Sequence, residues 1–190
     1  MNQTLTQKSK FLSYVLRHKP ESIGIKLDKE GWVDIDMLLF AANENGEQMD
    51  RSVLDEIVLN NDKKRFAIDP TGKRIRASQG HSTNVNITYP KKTPPAILFH
   101  GTVAQHIDGI KKKGLLPSGR THVHLSKDMN TAITVAERKG KPIILEIKAE
   151  KMHSVGLNFY LSENGVWLCD EVPTEYIVFP TSKADHEAKL

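Results

Sequence analysis

The stretch RFAIDPTGKRIR, residues 65–76, decides the architecture predicted for the first half of the chain. Two short segments, 65–68 and 73–76, flank Asp69-Pro70-Thr71-Gly72, and this tetrapeptide combines residue types that favour a tight turn. The stretch therefore predicts a β-hairpin whose strands both contain arginine.

Three helices are predicted ahead of this hairpin. The first covers about residues 4–17, where apolar side chains recur at helical spacing. A proline soon afterwards ends it, so that Arg17 and His18 fall in its last turn or just past it. Asp34 is a suitable N-cap for the second helix. The third begins at Asp50, and its residues predicted to face inward are Val53, Leu54, Ile57, Val58 and Leu59.

Three helices followed by a hairpin resemble a winged helix, so residues 1–82 are predicted to form a winged-helix lobe. Such lobes often contact nucleic acid, although a fold alone proves no function. Basic residues in and beside the hairpin could follow a nucleic-acid backbone, or they could form a solvated face of the hairpin. The residues predicted to contact nucleic acid are Lys63, Lys64, Arg65 and Arg74.

The second half of the chain has a different composition. Residues 83–95 are polar and end in Lys91-Lys92-Thr93-Pro94-Pro95, which predicts a stiff, exposed linker. Residues 96–180 contain short apolar runs typical of strands, with helical segments between them, and predict a second lobe with a mixed β fold. Residues 181–190 are polar and predict a flexible tail. The predicted fold class is therefore α+β, in two lobes.

The overall composition limits the compartment and the partners. The chain has 190 residues, a net charge of +4 and a sequence pI of about 9.1, which permits an anionic partner without requiring one. Its single cysteine, Cys169, excludes an internal disulfide, fits a reducing compartment and is expected to be a buried structural thiol. We see no signal peptide and no apolar run long enough to span a membrane, so we expect a cytoplasmic protein.

Arginine and histidine concentrate at the ends of predicted elements. Arg17 and His18 follow the first helix, while Arg74, Arg76 and His81 lie in the segment RIRASQGHS that begins in the hairpin. Guanidinium groups suit a bidentate grip on phosphate oxygens. Since neither an acidic nucleophile nor metal-ligand spacing accompanies them, the pattern indicates phosphate as the reacting group and predicts no metal. The glycine patterns of Rossmann and P-loop sites are also missing from the sequence.

Motifs from about residue 8 to residue 180 resemble those of the bacterial RNA 2′-phosphotransferases, which remove an internal 2′-phosphate from RNA using NAD. Each motif alone is weak evidence, whereas the set in its family order is specific. The motifs are FLSYVLRHKP (11–20), GWVD (31–34), IRA (75–77) with QGHS (79–82), HGT (100–102), HVHLS (122–126), Arg138 with Gly140 and Pro142, and NGVWL (164–168).

The resemblance implies a winged-helix RNA-binding lobe and an NAD-binding lobe like that of ADP-ribosyltransferases. It implies that the RNA 2′-phosphate attacks NAD, forms an ADP-ribosylated RNA phosphate, and leaves 2′-hydroxyl RNA, ADP-ribose 1″,2″-cyclic phosphate and nicotinamide. The implied catalytic residues are Arg17, His18, Arg76 and Arg138. His18 either binds phosphate or also transfers a proton.

The resemblance also implies an NAD site and a set of partners. Its residues are His100, Gly101, Thr102, His124, Leu125, Ser126 and Val172. Within that set His100, His124 and Val172 match the family's His-His-Val triad, although Glu171, which lies beside Val172, leaves the third position open. The implied partners are NAD as a co-substrate and a 2′-phosphorylated, tRNA-like RNA in tRNA processing or splicing, with no obligatory protein partner.

Two other functions are compatible with the residues. One is an ADP-ribosyltransferase that leaves ADP-ribose attached to a nucleic-acid phosphate, and its end product would distinguish it. The other is a non-enzymatic winged-helix regulator that binds RNA or DNA. A regulator would release no nicotinamide from NAD, and it would leave the motifs of the second half without a role.

Overall fold

A computed structural model of the protein describes residues 3–61 and 63–180, which divide into two compact units. The first unit contains the described residues up to Tyr89 together with Gly119–Thr121 and Ser162–Asn164. The second unit contains the other described residues from Pro90 onwards. The tail predicted at 181–190 lies outside the described residues. Within the described part, no helix has the length and apolar character needed to cross a membrane.

The first unit combines helices with a small antiparallel sheet in which β3 lies between β1 and β2. Its elements in chain order are α1 (Gln3–Arg17), a 3-10 turn (Pro20–Ile23), β1 (Val33–Asp34), α2 (Ile35–Glu44), α3 (Arg51–Leu59), β2 (Phe66–Ile68) and β3 (Arg74–Ala77). The predicted hairpin is confirmed, because Phe66 pairs with Ala77 and the amide of Gly72 donates to the carbonyl of Asp69 at 2.9 Å.

The helices form where the sequence predicts them, with one error of orientation. Asp34 caps α2 by accepting a hydrogen bond from the Met37 amide at 3.0 Å. In α3, Leu54 and Ile57 are fully buried, whereas Leu59 is 84% exposed, so the prediction that Leu59 faces inward is wrong. Leu59 follows Leu54 by five residues, a rotation of about 140° around the helix axis that takes it off the buried face.

Part of the predicted linker packs onto the first unit. Val85 and Ile87 are buried, and the Asn86 amide donates to the carbonyl of Lys29 at 2.8 Å. This alternation of buried and polar residues shows that residues 83–89 are not a fully exposed connection. The first unit therefore extends further along the chain than residue 82.

The second unit is rich in strands, as predicted, and the α+β class is confirmed. Its elements are β4 (Leu98–Thr102), α4 (Ala104–Lys113), β5 (Val123–Leu125), α5 (Met129–Glu137), β6 (Ile143–Ile147), α6 (Ala149–Ser154), β7 (Phe159–Leu161), β8 (Trp167–Cys169), a 3-10 turn (Thr174–Tyr176) and β9 (Ile177–Val178). The strands form two antiparallel sheets, β4-β6-β9 and β5-β8-β7. Phe99 and Ser126 link these sheets through two backbone hydrogen bonds of 2.8 Å.

The core of the second unit contains residues from its strands and is closely packed at Gly101. Leu98 on β4 and Leu145 and Ile147 on the paired strand β6 are fully buried. Cys169 on β8 is buried as expected, and burial raises the pKa of its thiol to about 12, so the thiol stays protonated at neutral pH. Gly101 on β4 lies so close to α5 that a Cβ atom would come 2.0 Å from the Ala132 carbonyl oxygen.

Gly101→Ala should therefore destabilise the protein. The added methyl group would have to displace the backbone of α5, and overpacking of this kind costs about 1–3 kcal/mol or more. The matched control is Gly109→Ala in α4, where an added Cβ atom meets nothing within 4 Å. There the free energy of unfolding should rise by about 0.5–1 kcal/mol. Urea unfolding measures both, and an equal effect of the two substitutions would contradict this account of β4 and α5.

Candidate active site

The C-terminal end of α1 brings two separate motifs of the sequence together. Arg17 is the last residue of α1, and its carbonyl accepts hydrogen bonds from the Ser82 amide at 2.9 Å and the Thr83 hydroxyl at 3.5 Å. The next residue, His18, places its Nδ1 atom 2.8 Å from the Ser82 hydroxyl oxygen. The helix end is thus tied to the segment that follows the hairpin, as the shared Arg-His composition suggested.

Arg76 reaches the same region of the first unit from β3. Its guanidinium carbon lies 4.4 Å from the centre of the Trp32 ring, a distance typical of a cation–π contact. Its Nη2 atom donates to the Glu163 carboxylate at 2.7 Å, and Nη1 makes a long contact of 3.5 Å with the Glu30 carbonyl. The side chain is therefore held in one orientation by an aromatic face and by oxygen acceptors.

Several buried donors of these arginines have no acceptor. In the described residues, no hydrogen-bond partner lies within reach of Nε and Nη2 of Arg17 or of Nε of Arg76. Buried polar atoms are nearly always hydrogen-bonded, and an unpaired donor on a charged group is costly. Donors of this kind suit an anion, since phosphate oxygens would supply both the acceptors and the opposite charge.

Other cations intensify the positive field around Arg17. Burial, followed by the charges of Arg65 and Arg120, lowers the pKa of the Arg17 guanidinium to about 10. Burial also lowers the pKa of Arg120. We call Arg17, Arg65, Arg76 and Arg120 the arginine cluster. Like charges held together in a partly desolvated place favour the binding of a multiply charged anion.

The histidines of the first unit are uncharged next to this cluster. His81 is 2% exposed, and burial together with the charges of Arg17 and Arg76 lowers its pKa to about 4. For His18, burial and then the charge of Arg17 also lower the pKa. Both imidazoles are thus biased towards the neutral form, so the positive charge of the region comes from guanidinium groups.

The four residues predicted to contact nucleic acid fall into different environments. Lys63 and Lys64 are exposed, which suits contact with distant phosphates. Arg65 belongs to the arginine cluster, and its Nη1 atom donates to Asn61 at 3.3 Å. Arg74 is tied to the hairpin turn, because its Nε atom donates to Asp69 at 3.1 Å. Its side chain is nevertheless half exposed.

The second unit brings together most of the residues that the resemblance implies for NAD. His100, Gly101 and Thr102 end β4, and His124 and Leu125 lie on β5, immediately before Ser126. The Nδ1 atom of His100 lies 3.1 Å from the carbonyl oxygen of His124, a contact that fixes the plane of the imidazole ring. Two adjacent strand ends thus present histidines in a defined arrangement.

The third member of the predicted triad and the fourth arginine lie elsewhere in the second unit. Val172 is buried and pairs through its backbone with Leu115, with both hydrogen bonds at 2.9 Å, whereas Glu171 is exposed. Arg138 directly follows Glu137, the last residue of α5, and its side chain is exposed. No group of three or more metal-ligating side chains occurs in the described part of the chain.

Sequence reasoning missed residues that complete the surroundings of the arginine cluster. Arg120 and Glu163 come from short segments that join the first unit from distant parts of the chain, and nothing in their spacing indicates this. Tyr89 lies in the predicted linker, where its hydroxyl donates to the Ser78 carbonyl at 3.3 Å. Trp32 could have been found, since it lies in the GWVD motif and directly precedes β1, the strand that pairs with β3.

Comparison with known proteins identifies the family of the chain. Residues 3–171 match the family model described as RNA 2′-phosphotransferase, Tpt1 / KptA family. The chain therefore belongs to a family of transferases, the RNA 2′-phosphotransferases.

Individual relatives are similar over nearly their whole length. A probable RNA 2′-phosphotransferase of Pseudomonas aeruginosa UCBPP-PA14 is 53% identical over 176 residues, covering 92% of this chain and 97% of the relative. The RNA 2′-phosphotransferase of Escherichia coli K12 is 51% identical over 174 residues, covering 91% and 95%. A probable RNA 2′-phosphotransferase of Acaryochloris marina is 50% identical over 178 residues, covering 94% and 98%.

The environment of His81 predicts a specific dependence of stability on pH. Its pKa is about 4 in the folded protein against 6.5 for an ordinary histidine, so the unfolded chain binds more protons between these pH values. The free energy of unfolding should therefore fall as the pH drops from 7 to 4, and His81 alone should contribute on the order of 3 kcal/mol to that fall.

Urea unfolding at several pH values measures this contribution. His81→Gln should remove it and flatten the pH profile, while the same change at the exposed His106 should leave the profile as it is. An identical slope for wild type and His81→Gln would show that His81 titrates normally in the folded protein.

Proposed function

We propose that the protein is an NAD-dependent RNA 2′-phosphotransferase in which the first unit holds the RNA 2′-phosphate. The observation that carries this proposal is the set of buried guanidinium donors on Arg17 and Arg76 that have no acceptor within the described residues. Membership of the RNA 2′-phosphotransferase family supports the choice of a 2′-phosphate among the possible anions.

In the first step, the cluster would orient a nucleophile that is already charged. A phosphate monoester carries a charge of about −1.5 to −2 at neutral pH, so its oxygen needs positioning and not a strong base. Arg17, His18 and Arg76 would hold two of its oxygens while the third attacks the anomeric carbon of the nicotinamide ribose. That carbon loses nicotinamide, and the RNA phosphate becomes ADP-ribosylated.

The second unit would hold NAD in the manner of ADP-ribosyltransferases. The proposed contacts are His100, Gly101, Thr102, His124, Leu125, Ser126 and Val172. The fixed imidazole plane of His100 supports this assignment, because a rigidly held ring nitrogen at a strand end suits hydrogen bonding to the hydroxyls of a ribose. NAD supplies the electrophilic carbon and the ribose 2″-hydroxyl of the reaction.

In the second step, the phosphate itself becomes the electrophile. The ribose 2″-oxygen attacks phosphorus, the RNA 2′-oxygen leaves, and the 2″-hydroxyl proton ends on that leaving oxygen. The products are 2′-hydroxyl RNA and ADP-ribose 1″,2″-cyclic phosphate. Arg76 and Arg138 would stabilise the negative charge on the transferring phosphoryl group, which is how fixed cations accelerate phosphoryl transfer. His18 could carry the proton, since neutral imidazole accepts and returns protons near pH 7.

The architecture of the first unit supports a role in RNA binding. Three helices and a three-stranded antiparallel sheet that ends in a hairpin match the order of elements in a winged helix. Exposed Lys63 and Lys64 precede that hairpin and would contact backbone phosphates beyond the reacting one. We propose a 2′-phosphorylated, tRNA-like RNA as the substrate.

The proposal is tested with a short labelled RNA that contains one internal 2′-phosphate. Wild-type protein should release nicotinamide and dephosphorylate the RNA when NAD is present, and EDTA should have no effect. Arg17→Ala should slow nicotinamide release by about a hundredfold or more, because losing one charged donor at such a centre costs a few kcal/mol. Arg76→Ala and Arg138→Ala should slow the second step more, so that ADP-ribosylated RNA accumulates on a gel.

The control variant is Arg51→Ala, which removes an exposed guanidinium that pairs with Asp55. It should retain both steps. If the ADP-ribosylated RNA is a stable end product of wild type, the protein is an ADP-ribosyltransferase. If wild type releases no nicotinamide, the protein is better described as a non-enzymatic winged-helix regulator that binds RNA or DNA. Equal loss of both steps in all three arginine variants would mean that these residues form one undivided phosphate clamp.

A further inference from the structure

Glu163 already binds one of the donors that the proposed function assigns to phosphate. Its carboxylate accepts the Arg76 Nη2 hydrogen bond at 2.7 Å. The two partners differ in exposure, because the Arg76 side chain is 11% exposed and the Glu163 side chain 55% exposed. The guanidinium is thus fixed, whereas its carboxylate partner has solvent on one side.

The hydrogen-bond pattern of Arg76 makes this carboxylate a competitor of phosphate. Nε and Nη2 of a guanidinium point along the same edge, and this edge grips two oxygens of one anion. Nη2 of Arg76 is bonded to Glu163, while buried Nε has no acceptor in the described residues. A phosphate that takes both donors therefore shares Nη2 with the Glu163 carboxylate or displaces it, and in either case its charge meets that of the carboxylate.

The backbone around Glu163 is anchored independently of its carboxylate. Asn164 donates through Nδ2 to the Lys63 carbonyl at 3.1 Å, and the Ser162 hydroxyl donates to Asn164 at 2.7 Å. The carboxylate can therefore leave Arg76 by a change of side-chain rotamer.

The charges of the competing anions determine which of them can replace Glu163. A phosphodiester of the RNA backbone carries one negative charge, the same as the carboxylate, so exchanging one for the other gains little Coulomb energy. A 2′-phosphomonoester carries nearly two charges and gains from the exchange. Every nucleotide of an RNA offers a diester, so a cluster of bare arginines would bind all of them.

We propose that Glu163 is a specificity-determining residue whose carboxylate excludes singly charged phosphodiesters from the arginine cluster and yields to a doubly charged 2′-phosphomonoester. This inference rests on the proposed function. Glu163 would discriminate between the reacting phosphate and the backbone phosphates beside it. It would take no part in the chemical steps.

The test compares the binding of two RNA strands of identical sequence to the full chain without NAD. One strand has a single internal 2′-phosphate and the other has a 2′-hydroxyl at that position, and fluorescence anisotropy gives each Kd. Glu163→Gln should bind the 2′-hydroxyl strand about tenfold more tightly than wild type does, with a smaller gain for the phosphorylated strand. The preference for the 2′-phosphate should therefore fall.

Two further variants make the result specific to the carboxylate at position 163. Glu163→Ala should show the same loss of preference, because it also removes the charge. Glu30→Gln is the matched control, since it removes an exposed carboxylate from a residue whose backbone carbonyl faces Arg76. It should keep the preference of wild type.

The outcomes separate this inference from the function on which it rests. If wild type prefers the 2′-phosphorylated strand and Glu163→Gln keeps that preference, the inference is wrong and the function stands. Weaker binding of the phosphorylated strand by Glu163→Gln, with no change for the other strand, would also overturn it and make Glu163 a positioning residue for Arg76. If wild type binds both strands equally, the proposed function fails and the inference fails with it.

Discussion

The candidate site of the first unit depends on one constraint. Guanidinium groups are buried there without a full set of hydrogen-bond acceptors. Desolvation of Arg17 and the charges of Arg65 and Arg120 lower its pKa to about 10, and buried donors on Arg17 and Arg76 have no acceptor in the described residues. Such an arrangement is unfavourable for folding, since unpaired buried donors and neighbouring like charges both cost free energy. It persists because the surrounding core is rigid, and strain of this kind is typical of functional sites.

The rest of the first unit supplies that rigidity. Leu12, Val15 and Leu16 are completely buried, so the end of α1 is fixed where Arg17 begins. The strand β3 carries Arg76 from the centre of the sheet, and Trp32 supports its guanidinium from one side. The side chains proposed to bind the anion would therefore need little reorganisation when it arrives, and preorganisation of this kind is the main source of electrostatic stabilisation by enzymes.

The sequence predicts what is local and misses what depends on tertiary packing. The hairpin, the Asp34 cap and the position of Arg17 at a helix end follow from turn chemistry, capping and periodicity, and all three are present in the structure. By contrast, apolar composition alone placed Leu59 in the core, although the geometry of the helix turns it outward. Spacing could not reveal Glu163 beside Arg76, because 87 residues separate them.

The same distinction applies to the functional residues. The composition of the RIRASQGHS segment was enough to indicate a phosphate site, because arginine chemistry is specific for oxyanions. The protonation states were not predictable, since the low pKa of His81 results from burial and from charges that the fold brings to it. The sequence therefore predicts the type of ligand, and the structure adds an electrostatic reason to expect a doubly charged one.

The most direct test of this account is the pKa of the RNA 2′-phosphate when it is bound to the protein. Free phosphate monoesters have a second pKa of about 6, and phosphorus NMR follows this titration in a complex prepared without NAD. Binding to the arginine cluster should lower the pKa of the phosphate by at least about one unit, because fixed cations stabilise the dianion. A bound phosphate that titrates at the same pH as the free RNA would contradict the central claim that the buried guanidinium groups form the phosphate site.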